Sequence, residues 1–228
     1  MRFLFGVFAL IGAVFALSSA SPATARDWSS TVTKLPTGAY LIGNPGAKVK
    51  LVEYLSYTCP HCAAFHKESA AVLDGQFIRS GSTSLEIRNQ VHDQLDLAIA
   101  LMAQCAGPRR FKPLMDAFYD QQDTWLLAGI DFEQDNSRRF AMYPPQDRLK
   151  ALAEGAGITA IATQHGMTPA EVDACLASDA PMQTLTRMMQ AAPRQITGTP
   201  GFIVNGKIAD KVYDWAHLEP ILRAAGAH

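Results

Sequence analysis

The chain has 228 residues, of which 48% are apolar and 18% charged, and its 20 basic and 21 acidic side chains leave a formal net charge of −1. That apolar share supports one sizeable domain or two small ones and excludes a disordered chain. The near-even charge argues against nucleic acid as a partner, which needs a basic face, and four cysteines are too few for a small disulfide scaffold.

In chain order, Arg2 comes first, then the uncharged run Phe3 to Leu17, then the small-residue stretch Ser18 to Ala25. A charged start, a short apolar core and an Ala-x-Ala ending describe a secretory signal peptide over residues 1–25, cut after Ala25 or alternatively after Ala20. An uncleaved membrane anchor is the competing reading, but a spanning helix wants about 20 apolar residues. Cleavage removes Arg2, takes the net charge from −1 to −2, and places the mature chain in the periplasm, where disulfides persist.

Residues 26–47 read as polar and turn-rich, with Gly43-Asn44-Pro45-Gly46 as a turn. Val49 to Tyr57 reads as a strand, Ala63 to Leu73 as a helix, and Ser84 to Val91 as a second strand. Between strand and helix lies Cys59-Pro60-His61-Cys62, with Pro60 suited to a first helical turn. From about Asp93 to Arg194 the spacing is helical: Leu95, Ala98 and Met102, then Leu149, Leu152 and Ala153, then Val172 and Leu176, then Leu185, Met188 and Met189. This block is expected to break at Gly107-Pro108, at Gly129 and at Pro144-Pro145, and Ala128 to Asp147 reads as polar and irregular. Strand character returns at Gly201 to Val204, Asn205-Gly206 is a hairpin signal, Lys207 to Ala209 is its return strand, and Trp215 to Ala225 closes as a helix. Strands that resume only after the helices end describe an α/β unit interrupted by an all-helical insertion. The expected boundaries are 26–92 and 195–228 for the two parts of the α/β unit and 93–194 for the insertion.

Cys59-x-x-Cys62 at a strand-to-helix junction allows three chemistries. A zinc site needs four ligands, and no second C-x-x-C or H-x3–5-H completes one, although His61 and His66 are near in sequence. An inert disulfide across two intervening residues gains only about 2 kcal/mol in the chain-entropy account. Redox exchange uses what the position offers, because a helix N-terminus favours a thiolate, the nucleophile and the better leaving group. Cys59 is expected to be the exposed sulfur and Cys62 the buried, resolving one.

Val52-Glu53-Tyr54-Leu55-Ser56-Tyr57-Thr58-Cys59-Pro60-His61-Cys62 resembles the active-site segment of DsbA-type thiol:disulfide oxidoreductases. The similarity extends to GNPGAKVKLVEY before it, ACLAS around Cys175, and Gly198-Thr199-Pro200-Gly201-Phe202-Ile203-Val204-Asn205-Gly206. The resemblance implies a thioredoxin fold carrying a helical insertion, with Cys59 as the attacking and attacked sulfur and Cys62 resolving. Pro60 and His61 would then be the dipeptide that tunes the thiolate. Glu53 shares strand parity with Val49, Leu51 and Leu55, an acid on an apolar face. It reads either as a strand-edge glutamate reaching solvent or, by resemblance, as the buried acid beneath the resolving cysteine. Such an acid would have a raised pKa and could relay the Cys62 proton.

By the same resemblance Thr199-Pro200 is a cis-proline loop whose peptide edge pairs with substrate backbone beside Cys59. Thr199 is similar to the threonine of related isomerases, where the best-known oxidase has valine, so oxidase against isomerase stays open at this point. Cys105 and Cys175, 70 residues apart, would be two buried free thiols, a second active pair or a staple. The staple is favoured in an oxidising compartment, and some DsbA-like proteins carry a structural disulfide in the insertion. The Met182, Met188 and Met189 stretch reads as helix packing ahead of peptide binding.

The expected function is an enzyme, a periplasmic oxidase that donates the Cys59–Cys62 disulfide to secreted proteins through a mixed disulfide at Cys59. The alternatives are a disulfide isomerase or reductase, or a metal carrier using Cys59, Cys62 and His61. Isomerases of the DsbC type place a dimerisation domain ahead of the redox fold, and the 33 mature residues before Cys59 are too few for one. The resemblance implies reduced secreted proteins as substrates and a quinone-linked DsbB-type membrane partner for reoxidation. A monomer is expected, with no cofactor and no resident metal.

Overall fold

The computed structural model describes residues 26–228, so the expected signal peptide lies outside the described residues. Its centre is a six-stranded mixed sheet in the order β1-β2-β4-β3-β5-β6. The strands are β1 (Val32–Lys34), β2 (Tyr40–Gly43), β3 (Val49–Leu55), β4 (Thr83–Asn89), β5 (Gly201–Val204) and β6 (Lys207–Ile208). The central β3 runs parallel to β4, with Leu51 opposite Leu85 and Glu53 opposite Ile87, and antiparallel to β5, with Glu53 opposite Phe202. The parallel pairing of β3 with β4 requires a crossover connection, and α1 (Pro60–Ser69) lies on it. Val49, Leu51 and Leu55 are buried, as the alternation requires.

Between β4 and β5 the chain forms seven helices: α2 (Gln94–Ala106), α3 (Pro108–Asp120), α4 (Gln122–Phe140), α5 (Pro145–Gly155), α6 (Ile158–Gln164), α7 (Pro169–Leu176) and α8 (Asp179–Gln190). The helix α9 (Trp215–Ala225) follows the hairpin. This is a thioredoxin fold interrupted by an all-helical insertion. Helix α2 is apolar nearly all round because it is covered on every side, packing against α3, α5, α7 and α8. The insertion also leans on the sheet: Phe111 of α3 stacks on Tyr40 of β2 with ring centroids 3.8 Å apart. No helix among the described residues is long and apolar enough to cross a membrane.

Several expectations need correction. Residues 26–47, expected as turns, contain β1 and β2, which are too short to show more than one or two alternations. The helix expected over Ala63–Leu73 ends at Ser69 and is followed by a π-helical turn, Leu73–Ile78. Gly129 does not break the insertion but lies buried within α4, where an added Cβ would stand 2.6 Å from Leu95 Cδ2 and 3.1 Å from Ala156 Cβ. It is glycine so that α4 can approach its neighbours closely. The polar run from Ala128 is simply the outer face of α4, carried to Phe140. Gly107 does break the chain, with φ at 74°, and Pro108 opens α3. Asn205 and Gly206 both take positive φ, 49° and 80°, the twist a two-residue hairpin needs.

Candidate active site

β3 delivers the chain to Ser56-Tyr57-Thr58, and Cys59 then occupies the N-cap of α1 with φ −78° and ψ 119°. Pro60 fills the first helical position, where its missing N–H costs nothing. Cys62, one turn on, points inward and is fully buried. Both sulfurs are free thiols. Cys59 is the more exposed of the two, as expected, yet only 8% of its surface is open because the Thr199-Pro200 loop lies over it.

The Thr199–Pro200 bond is cis, and in the thiol form Cys59 Sγ donates to the Thr199 carbonyl at 3.2 Å, a bond the thiolate gives up. Thr199 Oγ1 is 3.5 Å from Nε2 of the exposed His92. Pro60 and His61 face solvent beside the sulfur.

The two thiols sit in opposite environments. Hydrogen bonding from the Cys62 thiol, helped by Thr199 and by the N–H groups of Cys62 and His61, lowers the Cys59 pKa from 9.0 to about 5, against the opposing effect of burial. Burial pushes the Cys62 thiol well above its ordinary value, with further push from its bond to Cys59 and from Glu53. Glu53 is buried at 5% exposure, raised to about 8 first by desolvation and then by Asp74 and Cys59. At neutral pH the trio therefore holds a thiolate at Cys59 and protons on Cys62 and Glu53. A stabilised thiolate beside a buried protonated thiol and a buried acid can break and make disulfides, with the acid moving the inner proton.

Residues that sequence reasoning missed hold the loop before Cys59. Asp96 of α2 is fully buried and accepts from Ser56 Oγ at 2.6 Å, Tyr57 N at 2.8 Å and His92 N at 2.9 Å. Gln122 at the start of α4 donates to the carbonyls of Tyr57 at 2.6 Å and Cys59 at 3.0 Å. Tyr119 donates its hydroxyl to Ser56 O at 3.1 Å, and Thr58 donates to Asp93 at 2.7 Å. The one available signal was an aspartate, Asp96, inside the apolar run of α2; Gln122 gives none.

Cys105 of α2 and Cys175 of α7 are joined in a disulfide, Cα atoms 6.1 Å apart. Met188 is buried and Met189 half-buried, their sulfurs facing the N–H groups of Asn89 and Val91 at 3.1 and 3.4 Å. Among the described residues no three His, Cys, Asp or Glu side chains are grouped to hold a metal ion, so Cys59, Cys62 and His61 have no geometric support as a ligand set.

A family model described as thioredoxin matches residues 35–224. Proteins of Rickettsia bellii and Rickettsia prowazekii, each named "Putative protein-disulfide oxidoreductase", are 29% and 30% identical over 177 residues, 76% of this chain. The chain spans a little under three fifths of the length of these relatives, 59% and 56%. The crystal structure of a protein-disulfide isomerase from Novosphingobium aromaticivorans is 33% identical, with a TM-score of 0.76 over 83% of this chain and 98% of that one. α-DsbA1 of Wolbachia pipientis shares the fold at 17% identity, with a TM-score of 0.62 over 81% of this chain and 89% of that one. With 190 consecutive residues inside the family match, the chain belongs to the thioredoxin family, its fold carrying a helical insertion.

Proposed function

We propose that the protein is an extracytoplasmic thiol:disulfide oxidoreductase that works as an oxidase, passing its Cys59–Cys62 disulfide to reduced secreted proteins. The observation that carries this reading is the inequality of the two sulfurs. Cys59 is poised as a thiolate at a helix N-terminus, and that makes it a good leaving group and the reduced form stable, the condition for an oxidising disulfide.

In the first step a substrate thiolate attacks Cys59 Sγ. The Cys59–Cys62 bond breaks, and Cys62 leaves as a thiolate that takes a proton from Glu53. In the second, the substrate's other thiolate attacks the substrate sulfur of the mixed disulfide and expels the Cys59 thiolate. Two electrons have passed from the substrate dithiol to the cysteine pair, and Glu53 recovers its proton from solvent. Pro60 and His61 flank the sulfur and tune the thiolate, while the Thr199-Pro200 edge pairs with substrate backbone. Cys105–Cys175 takes no part in exchange and staples the insertion. A quinone-linked membrane protein of the DsbB type would accept the two electrons and restore the disulfide. The protein would act as a monomer in the periplasm.

Isomerase activity is the second reading, favoured by the protein-disulfide isomerase at 33% identity and by threonine at position 199. A glutathione redox titration of Cys59–Cys62 separates the two. A midpoint near the strongly oxidising end, about −120 mV, supports the oxidase, and a midpoint near the isomerase value, about −180 mV, or lower overturns it.

A further inference from the structure

Three donors around the active site end on one side chain that sits outside the cysteine motif. Asp96 has no exposed surface and no cation beside it among the described residues. Burying an unpaired carboxylate is costly. The carboxylate is kept ionised instead by what it accepts. One oxygen takes Ser56 Oγ at 2.6 Å and the His92 N–H at 2.9 Å, and the other takes the Tyr57 N–H at 2.8 Å. Ser56 and Tyr57 lead into Cys59. His92 begins the turn into α2, and its ring stands 3.5 Å from Thr199 Oγ1, on the residue whose carbonyl meets Cys59 Sγ.

We propose that Asp96 is a positioning residue for thiol exchange, a single buried carboxylate that fixes the loop entering Cys59 and the His92 turn facing Thr199 relative to each other. The inference rests on the redox reading of Cys59. Each loop is short and carries the reacting sulfur or its wall, so their separation sets the line of attack, and small errors there are expensive. An asparagine fits the same space, but its amide nitrogen cannot accept, so at least one of the three donors loses its partner. The groups facing Asp96 are Asp93 on its own helix, His92 and Tyr57 on the two loops, and Tyr119 from α3. Burial raises the Asp96 carboxyl to about 6. Proton uptake by Asp96 therefore loosens the loops in mildly acidic solution.

The test uses the full chain in its oxidised form, which has no Cys59 titration of its own, reacting with a reduced two-cysteine peptide. Rates are measured from pH 5 to pH 8 and corrected for the peptide's thiolate fraction. The wild type is expected to slow below about pH 6, and Asp96→Asn to be slower by about tenfold at pH 7 with that inflection absent. Amide hydrogen exchange at Tyr57 and His92 should accelerate in the variant. Ser56→Ala, which removes one donor and leaves the carboxylate, should give a smaller loss with the inflection retained, and it serves if Asp96→Asn does not fold. A folded Asp96→Asn protein with the wild-type rate and profile overturns the positioning role while leaving the redox reading intact. So does Ser56→Ala at the full wild-type rate. A wild type that does not oxidise the peptide overturns both.

Discussion

The four cysteines form two pairs that the same chain treats in opposite ways. Cys59 and Cys62 lie one helical turn apart, unbridged, at the N-terminus of α1, where the outer sulfur is held down to about 5 and the inner one is pushed up. Cys105 and Cys175 are 70 residues apart and bridged between α2 and α7. The short pair encloses almost no chain, so its bond stabilises little and can be given away. The long pair closes a large loop, and each of its sulfurs sits at the C-terminal end of its helix, which favours a cation over a thiolate. Loop length decides how much a bond is worth to the fold, and local donors decide how easily it opens.

The sharpest way to break this division is to remove one sulfur at a time. Cys59→Ser should abolish disulfide transfer to a reduced peptide, whereas Cys62→Ser, mixed with a peptide whose own two cysteines are bridged, should attack that bridge through Cys59 and, with no resolving thiol, accumulate the mixed disulfide visible on non-reducing gels. A Cys62→Ser protein without adducts would contradict the division of labour. Next in size is the double change Cys105→Ala with Cys175→Ala. It should cost about 4 kcal/mol in the entropy account, read by denaturant unfolding, with transfer by Cys59 retained in the folded protein. Transfer lost along with the bridge would mean that the two pairs are one system.

A smaller effect is expected at Glu53. Glu53→Gln keeps the shape but cannot deliver a proton, so formation of the mixed disulfide should slow by about tenfold in stopped-flow mixing at pH 7. Because the folded carboxyl titrates near 8 against an ordinary 4.5, wild type becomes progressively less stable than the variant as pH rises from 4.5 to 8. Equal melting curves at pH 8 would place Glu53 in a wetter site than its burial implies.

The smallest difference is between the redox forms themselves. A Cys59 thiol lowered from 9.0 to about 5 contributes about 3 kcal/mol to the reduced fold at pH 7. Losing the short bridge removes about 2 kcal/mol, so the reduced protein should melt about 2–4 °C above the oxidised one. The thiolate contribution is complete above pH 9 and is lost as pH falls towards 5; it drops below the bridge's contribution of about 2 kcal/mol at about pH 6.5, where the order of the two melts should invert. An oxidised form that melts higher at pH 7 would favour the isomerase reading.

Much of this was legible in the chain because it is local. Cys59-x-x-Cys62 after a strand of aliphatic and aromatic residues, Glu53 on the parity of Leu51 and Leu55, and Asn205-Gly206 between two short strands each reveal themselves within a few residues. What stayed hidden is tertiary. β1 and β2 exist because Tyr40 finds Phe111 and because Leu41 and Ile42 pair with Glu86 and Leu85, partners more than 40 residues away. Gly129 reads as a helix breaker until Leu95 and Ala156 are seen against it. Asp96 and Gln122 acquire meaning only when the insertion folds back on Ser56 to Cys59.

Gln122 bears on how such a motif could be moved by design. Its one amide group closes off two carbonyls of the reactive segment, at Tyr57 and Cys59, from a helix more than sixty residues downstream. A transplant of Val52 to Cys62 into a bare thioredoxin scaffold would carry the sulfurs and leave those two carbonyls uncapped. The portable unit is larger than the signature, and it must include the first turn of α4, which carries the amide.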